Sequence, residues 1–174
     1  MSGKDDILRK AKEEMRLSER ILAAIPGFKG YKEKELRRES DKLVRDHIHR
    51  RLKESEDTIK KVFQKLSDER LYGSLENMDR LVMEFDRVKS RINHASYGYT
   101  GFFDIIKIKE EELDEMLSFD VNLVEAVEKL SREVKALKEV KPEEVSKNLE
   151  TIKSSLSSLE ETFNERREKI FGVK

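Results

Sequence analysis

Apolar residues recur every three or four positions through almost the whole of this chain, and that spacing limits the fold more than any other feature. A stripe at this period marks a helix with one face in a core. Only 7 glycines and 2 prolines interrupt the 174 residues, so the helices between them are long. The first is expected over about Lys4–Ala24, capped by Ser2 or Asp5, with a stripe of Leu8, Ala11, Met15, Leu22 and Ile25 and a stop at Pro26–Gly27. A second starts near Lys32 and runs to about Leu66 on Leu36, Leu43, Ile48, Leu52, Ile59, Val62, Phe63 and Leu66. The third carries Leu71, Leu75, Met78, Val82, Phe85 and Ile92. The fourth spans about Glu110–Lys138 and buries Leu113, Met116, Leu117, Leu123, Val124, Val127, Leu130, Val134 and Leu137. Pro142 opens the fifth, with Val145, Leu149, Ile152, Leu156, Leu159, Phe163 and Ile170.

Two stretches leave alternatives. Ser67–Asp68 or Gly73–Ser74 marks a break between the second and third helices, the rival being one helix over 32–94. A break is preferred, because an unbroken stripe of roughly 95 Å would need a partner chain along its length. Asp104–Lys109 alternates weakly, but an isolated strand has no mate, so it is read as coil leading into the fourth helix. Short links between long helices make antiparallel neighbours the default. The expected fold is therefore all-α: a single domain over 1–174, an elongated antiparallel bundle of four long helices plus a shorter N-terminal one, with coiled-coil-like packing.

The charged fraction is 43%, yet 37 Lys plus Arg balance 37 Asp plus Glu, so global charge selects neither nucleic acid nor membrane. The absence of cysteine excludes disulfides and thiolate metal sites. With few prolines and many paired charges, the composition is thermophile-like. The N-terminal residues lack the apolar run of a signal peptide, and no stretch has the ~20 apolar residues of a membrane span, so a cytoplasmic protein without integral membrane association is expected.

Six of the twelve aromatic residues fall in two short segments that carry glycines, Pro26–Tyr31 and Tyr97–Phe103. In an up-and-down bundle both segments lie at one end, where Phe28, Tyr31, Tyr97, Tyr99, Phe102 and Phe103 form either a recognition surface or aromatic plugs, the plug being preferred. Lys29, Lys32, Lys34, Arg37, Arg38 and Lys42 crowd the start of the second helix, where the helix dipole disfavours cations. Pairing with the acidic Glu110–Glu115 run explains them more simply than a phosphate-bearing partner, because Glu33, Glu35 and Glu39 are interspersed. Asp120, Lys89 and His47 intrude on or beside apolar stripes and are read as a buried polar layer, with Asp120 paired to Lys89 or an arginine and fixing helix register. A ligand pocket beneath the aromatic residues is the rival. A di-metal carboxylate site needs Glu-x-x-His on two helices, and Asp46-x-x-His49 is the nearest approach, so no metal and no cofactor are expected. Gly27 to Lys32 lacks the spacing of a phosphate-binding loop.

The segments Ile25–Ile48 and Ser96–Glu115 resemble the two signature segments of an uncharacterised family of small helical bacterial and archaeal proteins. The resemblance implies no activity, and it adds weight to Gly27, Gly30, Tyr31, Tyr97, Gly98, Gly101 and Phe102. The expected function is a non-enzymatic protein–protein interaction or scaffold module. Self-association through the third and fifth helices, with Ile170 and Phe171 reaching a partner, is one form of it. The alternative is nucleic-acid or phosphate-ligand binding at the basic start of the second helix, and an enzyme ranks last.

Overall fold

A computed structural model describes residues 3–31, 33, 36–95 and 110–171, except for the side chains of 3–8, 110–111 and 170–171. Five helices make up the described residues: α1 (Gly3–Ala24), α2 (Arg37–Asp68), α3 (Leu75–His94), α4 (Glu110–Ala136) and α5 (Pro142–Phe171). Single 3-10 turns at Tyr72–Ser74 and Leu137–Glu139 lead into α3 and follow α4, and no strand occurs among the described residues. None of the helices is long and apolar enough to cross a membrane.

The chain reverses after α2 without a glycine at the point of reversal. Leu71 N donates to Leu66 O and Arg70 N to Ser67 O, the paired bonds of a Schellman ending, with Arg70 at φ 60° in the left-handed position. Residues 37–94 are thus two helices, and Gly73–Ser74 sits in the 3-10 turn that starts the second. The other early stop behaves as its sequence implies. After α1, Pro26 and Gly27 form a turn in which Gly27 takes φ 92°, and Gly30 takes φ 80° three residues later. Both glycines hold angles that a Cβ would strain.

Contacts join α2 to α3 and α4, α5 to α3 and α4, and α1 chiefly to α4. The buried apolar residues form one contiguous cluster drawn from all five helices. In α2 it takes Val44, Ile48, Leu52, Ile59, Val62 and Leu66, and in α3 Met78, Leu81, Phe85, Val88 and Ile92. Each fully buried side chain of this size favours folding by roughly 1.5–3 kcal/mol.

Helix α1 departs from the expected register. Met15 is 63% and Leu22 48% exposed, whereas Ile21 and Ile25 are buried and Leu17 packs beside them. The stripe is Leu17, Ile21, Ile25, a strict i, i+4 row that places the three β- and γ-branched side chains over one another on α4. Met15 and Leu22 lie off that row.

Candidate functional site

The site is assembled from the Ile25–Tyr31 loop, the first turns of α2, and facing positions on α4 and α5. Phe28 and Tyr31 are both buried, with ring centroids 5.7 Å apart and planes at 82°, an edge-to-face pair. Two α2 side chains hold the loop's carbonyls: Ser40 Oγ donates to Gly30 O at 2.8 Å and Arg37 Nε to Tyr31 O at 2.7 Å. These bonds fix the backbone so that the Tyr31 phenol enters the core.

There the Tyr31 hydroxyl donates to Asp120 Oδ2. Arg166, 1% exposed, donates from Nε to Asp120 Oδ1 at 2.6 Å and from Nη2 to Asp41 Oδ1 at 2.8 Å. A longer contact runs from Nη2 to Asp120 Oδ2 at 3.3 Å, and Arg45 Nε donates to Asp41 Oδ2 at 2.9 Å. Two carboxylates and two guanidiniums balance, and every carboxylate oxygen has a donor. Such full satisfaction is what makes a buried charge cluster tolerable. Burial pushes the Tyr31 phenol well above its ordinary value, and the Asp120 charge adds to this, so the proton stays on tyrosine. Burial also raises the Asp120 carboxyl, against the opposing pull of Arg166 and the Tyr31 hydrogen bond.

The expected polar layer separates into three pairings. Asp120 meets an arginine, Arg166, and not Lys89. Lys89 bridges to Glu56 of α2 and, at 3.0 Å, to Asp86 of its own helix. His47 lies 3.0 Å from Glu128 Oε1 through Nε2, and Arg50 Nη2 lies 3.2 Å from Nδ1. Because a guanidinium only donates, Nδ1 accepts and Nε2 carries the proton toward Glu128. Burial lowers the His47 pKa despite that carboxylate. Arg51 completes the arrangement with two bonds to Glu128, 2.7 and 2.8 Å.

The sequence singled out Asp120 but missed Arg166 and Asp41. Both occupy seam positions: Arg166 falls between Phe163 and Ile170 in the α5 stripe, and Asp41 precedes Val44 and Ile48 in that of α2. A charge on a seam was the available signal. Among the basic residues, Arg37 is turned inward to the loop, Arg38 is exposed and engaged within the chain, and Lys29 is exposed. Their expected counterpart does not meet them at Glu115, which pairs with Lys169 at 3.3 Å. Lys32, Lys34, Tyr97, Gly98, Tyr99, Gly101, Phe102 and Phe103 lie outside the described residues, as do the side chains of Ile170 and Phe171.

Beside the polar cluster lies a groove of about 430 Å³ between α1, the loop and the start of α4. Phe28, Tyr31, Leu113 and Leu117 form its buried side, and Met15 and Leu22 stand exposed along it. Among the described residues no three metal-ligating side chains gather. No family model, curated protein or solved structure matches this chain.

Proposed function

We propose that this chain is a cytoplasmic, non-enzymatic interaction module. Its frame is an up-and-down bundle of α2–α5 with α1 laid against it, and its contact face is the groove beside Phe28 and Tyr31. The observation that carries this reading is the pair of large apolar side chains, Met15 and Leu22, left exposed at the edge of an apolar cleft.

Chain direction has support in the order of the contacts. Ser74–Ser146, Glu84–Lys153 and Arg87–Glu160 rise together along α3 and α5, while Glu115–Lys169 and Asp120–Arg166 run oppositely along α4 and α5. The non-enzymatic part rests on the polar cluster. Its carboxylates and phenol are engaged with one another and with arginines, leaving no group poised for a substrate. Membership of the family that the two glycine-bearing segments resemble belongs to the same proposal.

Comparative capture tests it. Wild type and a Met15→Glu/Leu22→Glu variant with matched melting temperature are used as bait. A partner recovered with wild type and reduced about tenfold with the variant is expected, a difference of ~1.4 kcal/mol. Equal recovery would remove the groove from the interaction.

A further inference from the structure

The groove has a shape and a charge that select among partners. On α1 it runs from Glu14 to Leu22, about 12 Å or roughly two helical turns, and across from it lie Leu113 and Leu117 of α4. Both walls are helices. Their backbone groups are satisfied internally, so an extended peptide finds no strand edge to pair with, whereas a helix brings its own hydrogen bonds and needs only apolar contact. Ser18, midway along the α1 wall, leaves room for a side chain to enter.

The lining charges are unbalanced: four carboxylates, Glu14, Glu19, Glu33 and Asp114, against the single ammonium of Lys29. Glu14 and Asp114 are engaged within the chain, which leaves exposed Glu19 and Glu33 as the selecting charges. On a chain with net charge zero this is a local acidic field around an apolar floor. We infer that the occupant is a basic amphipathic helix of another protein, its leucine-type side chains on Phe28, Leu113, Leu117, Met15 and Leu22 and its lysines or arginines against Glu19 and Glu33. This rests on the interaction reading above and adds the partner's chemistry.

The test uses the full chain and two labelled peptides of about 15 residues, each with leucines at i, i+3, i+4 and i+7, one filled with lysine and the other with glutamate. Fluorescence anisotropy should show the leucine–lysine peptide binding at least about tenfold more tightly, with Glu19→Lys/Glu33→Lys inverting the order. Leu22→Glu, and separately the more exposed Met15→Glu, should weaken both peptides by about tenfold or more. Equal affinities, or an order untouched by charge reversal, would overturn the basic-helix inference, while loss of binding in Leu22→Glu would keep the interaction reading. If the wild type is a dimer that Leu22→Glu splits, a second copy is the occupant. That outcome overturns the inference and again keeps the broader reading. Refusal of both peptides by a monomer that Leu22→Glu destabilises would place the chain's own residues in the groove and overturn both.

Discussion

Arg166 joins three elements that share no other buried charge: the loop through Tyr31 and Asp120, α2 through Asp41, and α4 through Asp120. Replacing it with methionine keeps much of the volume but strands two carboxylates in the core, and about 3–5 kcal/mol of stability should be lost in urea unfolding. Tyr31→Phe keeps the ring pair with Phe28 and removes one charge-assisted bond, so a smaller loss of about 1.5–3 kcal/mol is expected. His47 sets a pH dependence. The unfolded chain takes up a proton at the ordinary 6.5, whereas burial holds the folded residue's pKa lower. Stability from this residue is therefore full above 6.5 and falls as pH drops toward the folded value. Thermal melts between about pH 7.5 and 5 should show that limb in the wild type and flatten in His47→Gln. Asp120 was legible because a carboxylate breaks the apolar row of α4, but its partner was sought at Lys89. Burial decides otherwise, since only Arg166 reaches both aspartates from a single guanidinium.

The two chain reversals differ in how their sequences announce them. At Pro26–Tyr31 the glycines stand where φ is positive, so the loop was readable from composition. Gly27→Ala and Gly30→Ala meet no atom within 4 Å of the added Cβ, so each should cost only backbone strain, about 1–2 kcal/mol. At the end of α2 the left-handed position holds Arg70, and the nearest glycine, Gly73, is part of the next turn. That displacement is why Ser67–Asp68 and Gly73–Ser74 competed as boundaries. Arg70→Gly should raise the urea midpoint, by about 1 kcal/mol of stability, and leave the fold unchanged. The face of α1 was misplaced for a different reason. Met15, Leu22 and Ile25 fit the 3,4 spacing as well as Leu17, Ile21 and Ile25 do, and only the partner helix settles which row is buried. The row left out supplies the exposed edge of the groove.

Across the molecule, three carboxylates each tie a different pair of helices: Glu56 with Lys89 for α2 and α3, Glu128 with Arg51 for α2 and α4, Glu160 with Arg87 for α3 and α5. Burial pushes Glu56 and Glu128 up, but the bonds from Lys60 and Lys89 and from Arg51 outweigh it, and bonds from Arg87 and Arg91 lower Glu160, so all three sit below the usual 4.5. Their contribution is complete above 4.5 and is lost as pH falls through the folded values. Asp120, shifted upward, opposes the loss. Acid titration followed by circular dichroism should therefore show a steep fall below about pH 4.5, and Glu56→Gln should reduce it. The all-helical class, five helices and nearly all of α4's core were readable because periodicity is local. Which charge meets which was not, because it depends on residues up to 135 positions apart. The placement of Arg166 also bears on biosynthesis. A nascent polypeptide exposes Asp41 and then Asp120 long before their common cation is translated, so the earlier helices can gather on the ribosome but the clasp between them forms only when the last one emerges.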